Sequence, residues 1–452
     1  MRNAIPAASL LSLCLSAISP LSLAAVDAAK AAQLGSSLTP IGAERAGNDA
    51  GTIPAWTGGL APDAGQVREG SHSNPFAGEK PLFVITPANL DGYKGQLTPG
   101  QVAMFQRYPD TYRIPVYASH RTAAWPDSAY AAAKLNAVHT QLVAGGNGLK
   151  DYQAPLAFPI PQSGLEVIWN HITRYRGGSF DRETSSYLVT PSGEYSWKTE
   201  RDRLAYSNQL TDYDPERSKN ILYYFTSLNI APARDVGDVL LVHETLDQVA
   251  EPRMAWQYNA GQRRVRRAPQ VAYDSPGPGN LRTNDQLDMF NGSPDRYDWQ
   301  LVGKRELYVP YNSFRLADPA NTPDQLVQKG HINQDLTRYE LHRVWEVIAT
   351  LKAGQRHVYA KRHLFIDEDT WTILEADHYD NRGTLWRVSE NHTLPFYDQK
   401  VVISAGEMTY DLTSGRYLAN GMFNQIKDAY RFGLKAKTSD FTPAALRTIG
   451  IR

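Results

Sequence analysis

Short runs of alternating apolar and polar residues fill the chain from residue 180 onward, separated by turn-forming residues. Alternation with a period of two is typical of strands that bury one face. Tyr187 and Trp197 flank a Thr-Pro-Ser-Gly turn, which predicts a hairpin. Because the connections are short, we expect an antiparallel sheet that must curl to hide its edges. Further strands are predicted at residues 221–228, 238–246, 254–258, 263–267, 341–351, 357–366, 371–379 and 384–390.

Apolar residues before position 180 follow a helical period instead. Residues 128–143 and 165–175 each place apolar side chains on one stripe. Ser163 and Glu166 have the spacing of a capping box, and Thr98 precedes a proline at a predicted first helical position. The sequence therefore predicts a mainly β protein with N-terminal helices, an α+β fold.

The segment from residue 38 to 59 is rich in Gly, Pro, Asn and Asp, so it cannot form regular structure. Ile53 and Trp56 give it apolar anchors, which favours an ordered strap over a disordered linker. A short helix is expected before it at residues 26–34.

A second irregular segment, residues 274–299, interrupts the predicted meander. Long loops inside compact domains are commonly functional. Leu287, Met289 and Phe290 lie in its middle, so we interpret it as a lid-like insertion. Residues 312–330 form another insertion of this kind.

The N-terminus has the pattern of a secretory signal peptide. One basic residue, Arg2, precedes an apolar stretch at residues 7–17, and small residues end at Ala24. Pro20 breaks the stretch, which is shorter than the roughly 20 residues that span a membrane. Cleavage there removes Cys14, the only cysteine, so disulfides and cysteine metal ligands are excluded from the mature chain.

These patterns predict four regions. They are a signal peptide at residues 1–24, an N-terminal helix and strap at 25–85, a ligand-carrier-like domain of helices and curved sheet at 86–422 with the lid-like insertion 274–299, and a weakly helical tail at 423–452.

The balance of charge argues against nucleic acid as a partner. The chain has 47 Lys and Arg against 47 Asp and Glu, so no basic excess would drive phosphate contacts. The basic run at residues 263–267 could touch an anionic membrane surface, but a solvated hairpin arm is the favoured interpretation.

Aromatic residues are the most informative candidates for ligand binding. The chain has 25 Tyr and 9 Trp, and several lie on elements predicted to face inward. Apolar cavities use the same residue types as cores, so sequence alone does not separate the two. The candidate cavity-lining residues are Trp169, Trp197, Tyr223, Phe225, Trp256, Tyr258, Trp345 and Trp371, with Leu287, Met289 and Phe290 of the insertion.

Candidates for catalysis and metal binding are weaker. His243-Glu244 begins like a zinc protease motif but lacks the second histidine. His342, His357 and His378 could meet across strands, although their spacing does not demand a metal. The acidic residues 367–369 lack the rest of a calcium loop, so a solvated turn is expected. We predict no catalytic residue, no metal site and no cofactor.

Six long segments resemble a family of exported Gram-negative proteins of unknown function labelled outer-membrane lipoprotein-sorting-like. The resemblance extends from residue 38 to 419. It implies the fold of the lipoprotein carriers LolA and LolB, a strongly curved antiparallel sheet or unclosed barrel wrapped around helices. It also implies association with exporters of the resistance-nodulation-division type. The segments are LTPIGAERAGNDAGTIPAWTGG, FPIPQSGLEVIWNHITRYRG, VLLVHETLD, AWQYNAGQRRVRRAPQVAYD, DQLDMFNGSPDRYDW and FIDEDTWTILEADHYDNRGTLWR.

The leading hypothesis is therefore a periplasmic carrier or accessory protein that holds a lipid or other apolar molecule, with an exporter or outer-membrane protein as partner and peripheral membrane contact. One alternative is a periplasmic hydrolase of apolar substrates, with His243 and Glu244 or Asp247 as its candidate residues. The other is a scaffold that binds only a protein, with a filled core and an apolar outer patch.

Overall fold

The computed structural model describes residues 26–268 and 273–451. The predicted signal peptide, residues 1–24, lies outside this part of the chain. Seven α-helical segments occur within the described residues: α1 (Ala28–Ala31), α2 (Pro99–Arg107), α3 (Asp127–His139), α4 (Gly164–Thr173), α5 (Pro215–Ser218), α6 (Pro323–Leu326) and α7 (Ala445–Ile451).

Strands dominate the rest of the described chain. In chain order they are β1 (Val67–Arg68), β2 (Ser71–His72), β3 (Phe83–Ile85), β4 (Ile114–Val116), β5 (Gln141–Leu142), β6 (Leu149–Lys150), β7 (Phe180–Val189), β8 (Tyr195–Tyr206), β9 (Ile221–Ala231), β10 (Val239–Thr245), β11 (Met254–Asn259), β12 (Arg264–Arg267), β13 (Tyr297–Pro310), β14 (Tyr339–Leu351), β15 (Lys361–Asp367), β16 (Ile373–Tyr379), β17 (Leu385–Phe396), β18 (Val401–Asp411), β19 (Tyr417–Met422) and β20 (Tyr430–Phe432).

One large sheet has the order β12-β11-β10-β9-β8-β7-β19-β18-β17-β16-β15-β14-β4-β3, with β13 paired to β14 and β20 to β7. Its pairings are antiparallel except for a parallel contact between β14 and β4. Its two ends do not pair with each other within the described residues. The predicted fold class, mainly β with few helices and an unclosed antiparallel sheet, is confirmed. The alternation pattern did not predict β3, β4, β13, β18, β19 or β20 of this sheet.

Helix α4 plugs the concave side of this sheet. Ser163 caps it as predicted, its side chain accepting a hydrogen bond from the Glu166 amide. One apolar cluster joins Ile168 of α4 to Tyr223 of β9 and Leu364 of β15. In the sheet order those two strands are seven steps apart, about 34 Å if the sheet were flat. Because side chains from both belong to the same cluster, the sheet must curve strongly around the helix.

The segment at residues 38–59 lies against the body of the protein. Ile53 is 1% exposed, and the Trp56 indole donates a hydrogen bond to the Ala123 carbonyl at 3.0 Å. Gly42 has a φ of +94°, and a Cβ there would lie 1.6 Å from the Pro159 carbonyl oxygen. Only glycine fits this close contact between two backbones.

The insertion at residues 274–299 is fastened to the core on the concave side. Met289 and Phe290 are buried in the same cluster as α4. Asp285 is paired with Arg362 of β15 at 2.7 Å. The stretch before Asp285 forms a turn, with an isolated bridge between Pro276 and Thr283.

The C-terminal part covers the opposite, outer face of the sheet. Leu446 of α7 and Phe441 pack on Val239, Leu241 and Tyr258 of β10 and β11. The predicted weakly helical tail therefore includes a strand, β20, as well as α7. The basic run of β12 lies at the edge of the sheet with its arginine side chains exposed.

Candidate functional site

A cavity of about 270 Å³ lies on the concave side of the sheet. Strands β7–β10 and β18, the chain just after α4 and the 274–299 insertion supply its walls. Much of the wall is apolar, so it offers contact surface to a hydrophobic chain. The apolar lining consists of Phe180, Leu204, Tyr223, Phe225, Leu240, Val242, Leu287, Val402 and Ile403.

The same cavity contains an unusual number of charged side chains. Lys198, Glu200 and Asp202 alternate along β8, so all three face inward together with Leu204. Several of these side chains, such as Asp202 and Glu244, are almost fully buried, and buried charges require partners. The basic residues are Arg174, Arg176, Arg182, Lys198, Arg253 and Arg282, and the acidic ones are Glu200, Asp202, Glu244, Asp288 and Glu407.

Asp288 of the insertion binds two arginines at the end of α4. Its carboxylate lies 2.5 Å from Arg174 and 3.2 Å from Arg176. Burial alone would raise the pKa of Asp288, but the two guanidinium groups outweigh burial and hold that pKa below the usual carboxyl range. The His171 ring also contacts the Asp288 carbonyl, at 2.8 Å. These contacts fix the insertion as one wall of the cavity.

Three further ion pairs neutralise most of the remaining charge. Arg182 binds Asp202 at 2.8 Å. Lys198 binds Glu200 at 2.5 Å, and Arg253 binds Glu244 at 2.8 Å.

Arg282 and Glu407 are the exceptions. Both line the cavity, and neither is among the ion pairs found within the described residues. The Arg282 Nε is buried without a hydrogen-bond partner. Burial lowers the pKa of Arg282. Burial, reinforced by Asp288, raises the pKa of Glu407 to about 7 in spite of the surrounding arginines. The cavity therefore holds one cation without an ion-pair partner, Arg282, and one carboxyl without a partner, Glu407, which titrates near neutral pH.

The residues selected from sequence are distributed over several surroundings. Tyr223, Phe225 and Leu287 line the cavity. Five others belong to or pack against the core cluster around α4: Trp169, Met289, Phe290, Trp345 and Trp371.

The remaining aromatic candidates lie elsewhere. Trp256 and Tyr258 pair with Leu241 and Val239, which places both aromatic side chains on the outer face beside α7. Trp197 is 45% exposed at the surface. These positions follow from strand register, which alternation alone does not fix.

The candidate hydrolytic residues are not brought together. Asp247 follows β10 and accepts hydrogen bonds from the Val249 and Ala250 amides in the next turn. The His243 ring binds the Phe441 carbonyl at 2.7 Å on the outer face, whereas Glu244 faces the cavity and binds Arg253. Adjacent residues of a strand point to opposite faces, so this pair cannot act on one substrate.

The three histidines considered for a metal do not form one ligand set. His357 and His378 both pack on Tyr359, with ring centroids 5.5 and 4.6 Å from its ring, whereas His342 stacks on Tyr311 and contacts Glu340. Within residues 26–268 and 273–451, one group has metal-ligand geometry: His342, Asp367 and Asp369, with ligand atoms within 4.8 Å of one another.

That group already has protein partners. Asp369 accepts two hydrogen bonds from Arg121, at 2.8 and 2.7 Å, and Asp367 accepts one from Tyr311 at 3.1 Å. Burial raises the pKa of Asp367 to about 7. The arrangement is a buried polar network, and a cation there would compete with the Arg121 guanidinium.

The turn at residues 367–369 is buried, so the expectation of a solvated turn is wrong. Glu368 is 2% exposed. It binds Lys304 at 2.7 Å, Arg343 at 3.0 Å and Arg121 at 3.4 Å. These cations arrive from distant parts of the chain, and local composition does not reveal them.

Sequence reasoning missed the charged lining. Lys198, Glu200 and Asp202 alternate along β8 on the same face as the apolar Leu204. Their spacing therefore indicated that these charged side chains share a face with a buried residue. No comparable signal marks Arg282 or Glu407, because each faces the cavity only through tertiary packing.

A family model described as a protein of unknown function (DUF1329) matches residues 84–447. The chain belongs to the DUF1329 family. The uncharacterized protein PA3922 of Pseudomonas aeruginosa is 58% identical over 443 residues, covering 97% of each chain. The resemblance recognised in the sequence is thus confirmed as a DUF1329 relationship.

Two solved structures are similar to this DUF1329 chain. One is titled a "putative outer membrane lipoprotein-sorting protein domain" from Vibrio parahaemolyticus, with a TM-score of 0.44, 12% identity and coverage of 63% of this chain and 98% of that one. The other is the LolA superfamily protein NE2245 from Nitrosomonas europaea, with a TM-score of 0.37, 12% identity and coverage of 62% and 98%.

In the described part of this DUF1329 protein, we find no helix with the length and apolar character required to cross a membrane.

Proposed function

We propose that this DUF1329 protein is an exported carrier or accessory protein that binds a lipid or other largely apolar molecule in its concave cavity. Transfer would consist of binding and release without covalent chemistry. The observation that carries the proposal is the cavity itself, which combines apolar side chains from five strands with charged side chains, most of them in ion pairs. Burial of a chain against such walls is favourable by about 25 cal/mol per Å² of apolar surface.

The proposed location is the periplasm, and the proposed partner is an exporter of the resistance-nodulation-division type or an outer-membrane protein. The predicted signal peptide and the family resemblance support this part. Cell fractionation tests the location, and affinity purification from envelope extracts tests the partner. Recovery in the cytoplasm would overturn the proposed location.

Native mass spectrometry of protein purified from its own periplasm, followed by lipid extraction, tests the carrier function. We expect a bound apolar species at stoichiometric amount. An empty protein that takes up no fluorescent fatty-acid probe would refute the proposal.

A cavity-filling variant sharpens that test. Val242 of β10 lines the cavity, so Val242→Trp should occupy it and abolish probe binding. Val249 is 52% exposed outside the cavity, so Val249→Trp is the matched control that should bind normally. Circular dichroism checks that both variants fold.

We also propose that the turn at residues 276–283 gates the cavity. Pro278 and Arg282 of this turn line the cavity, whereas Met289 and Phe290 farther along the insertion are buried anchors. Replacing Pro276 and Pro278 by glycine should loosen the turn and speed probe exchange. Each change also frees the unfolded chain and so costs about 0.4–1 kcal/mol of stability wherever it is made. Unchanged exchange rates would contradict gating, and Pro319→Gly in an exposed loop is the control.

A further inference from the structure

Arg282 and Glu407 differ in whether the side chain can lose its charge. This difference indicates the sign of the charge that a ligand would bring. An arginine stays protonated at any physiological pH, even in a buried site. A glutamate can lose its charge by taking up a proton. Glu407 therefore has an internal way to avoid a buried unpaired charge, while Arg282 needs an external anion.

The side-chain amide of Asn391 also indicates that a polar ligand binds in this part of the cavity. Asn391 of β17 lies directly across from Glu407 in the β17–β18 register and also lines the cavity. It is 1% exposed, yet neither its amide nitrogen nor its amide oxygen has a hydrogen-bond partner. Buried polar atoms without partners are costly, so a polar ligand atom would satisfy them.

We infer that the cavity binds a single-chain amphiphile with an oxyanion head group, a carboxylate or phosphate, which is held by Arg282 and Asn391 and is accompanied by a proton on Glu407. The inference rests on the proposed carrier function and specifies its ligand class. The planar guanidinium fork of arginine matches the geometry of both head groups.

The size of the cavity favours a single apolar chain. Its volume of about 270 Å³ lies near the lower end of the range for small-molecule sites, roughly 300–1,000 Å³. One chain of medium length suits a site of this size better than a two-chain lipid, so decanoate is the probe of choice.

The proton on Glu407 couples binding to pH. The groups that act on its carboxyl are Asp288 and Arg282 from the insertion, Arg182 from β7, Arg174 after α4 and Tyr430 from β20. An ionised Glu407 would repel the bound oxyanion, whereas a protonated Glu407 can donate a hydrogen bond to it. Since the pKa of Glu407 is about 7, decanoate should bind best below pH 7.

Isothermal titration calorimetry of the full mature chain tests this inference. Decanoate should bind more tightly than decanol, and decyltrimethylammonium should not bind. Arg282→Met should weaken decanoate binding at least about tenfold, since a charge-assisted hydrogen bond is lost, and should leave decanol binding unchanged. Arg217→Met, at a side chain that is 88% exposed, is the control.

The dependence on pH gives a second readout. Between pH 7 and pH 9 the Kd of the natural chain for decanoate should rise by up to about tenfold per pH unit, because one proton must accompany the ligand. Glu407→Gln keeps a hydrogen-bond donor and removes the titration, so its Kd should stay flat and low. A steep dependence retained in this variant would overturn the role of Glu407.

The remaining outcomes separate the two proposals. Equal binding of decanol and decanoate, unaffected by Arg282→Met, would overturn the oxyanion site and leave the carrier function standing. Binding of inorganic phosphate as tightly as decanoate would overturn the amphiphile and indicate a small-anion site. No binding of any probe, decanol included, would overturn both proposals.

Discussion

Asp288 allows a quantitative test of how the cavity wall is held in place. Its carboxylate pairs with Arg174 and Arg176, whose side chains are 7% and 13% exposed. Removing one partner of a buried ion pair leaves uncompensated charge and costs about 3–5 kcal/mol. Asp288→Asn keeps a hydrogen-bond acceptor and tolerates the local φ of +54°. We therefore expect a loss of unfolding free energy near the lower limit, about 3 kcal/mol.

Urea unfolding at pH 7, followed by tryptophan fluorescence, measures this loss. Asp235→Asn is the matched control, because its pair with Arg234 is exposed and should contribute less than about 1 kcal/mol. The pKa of Asp288 is lowered in the folded protein, so its contribution is present above the unfolded pKa near 4 and is lost on acidification. The two proteins should thus converge in stability as the pH falls below about 4. A loss at pH 7 no larger than that of the control would refute the reasoning.

Three further predictions concern other parts of the fold. Gly42→Ala should lower the melting temperature and make the segment at residues 38–59 sensitive to limited proteolysis, because the new Cβ would overlap the Pro159 carbonyl. Gly51→Ala is the control: this residue is also at positive φ but in open space, so the segment should stay protected. Trp371→Ala should lower the free energy of unfolding in urea by about 3–5 kcal/mol, because this side chain is fully buried and its indole donates a hydrogen bond to the Ile41 carbonyl. Trp197→Ala should cost far less, because Trp197 is 45% exposed. Burial raises the pKa of Asp377 to about 7, whereas the unfolded pKa is about 4. Stability should therefore fall as the pH rises from about 4 to about 7, and Asp377→Asn should reduce that fall in melting temperature. Equal falls in both proteins would contradict this assignment.

Local patterns predicted the repeating elements well where one face of a strand is buried. The predicted strand at residues 221–228 corresponds to β9, and Tyr187 pairs with Trp197 across the predicted hairpin. Strand β13 was missed because most side chains before Leu307 are exposed or half-exposed and because a bulge between Leu301 and Gly303 interrupts its alternation. Such a strand is ordered by its pairing with β14, a contact that local composition does not carry.

The sequence by itself determined the class of fold. Alternation with period two, the cap at Ser163 and short turns are local properties, and each acts through neighbouring residues. These properties predict an antiparallel sheet with helices before it. The family was indicated separately, by the resemblance of the long segments between residues 38 and 419.

Only the tertiary structure decided which side chains face the cavity. Trp256 and Phe225 are both aromatic residues on strands, yet register places Trp256 on the outer face and Phe225 in the cavity. Arg282 and Glu407 are 125 positions apart in sequence and become neighbours because the sheet curves and the insertion packs beneath it. Charge pairing in a buried site depends on distances across the fold, and for that reason the chemistry of this cavity could not be predicted from local patterns.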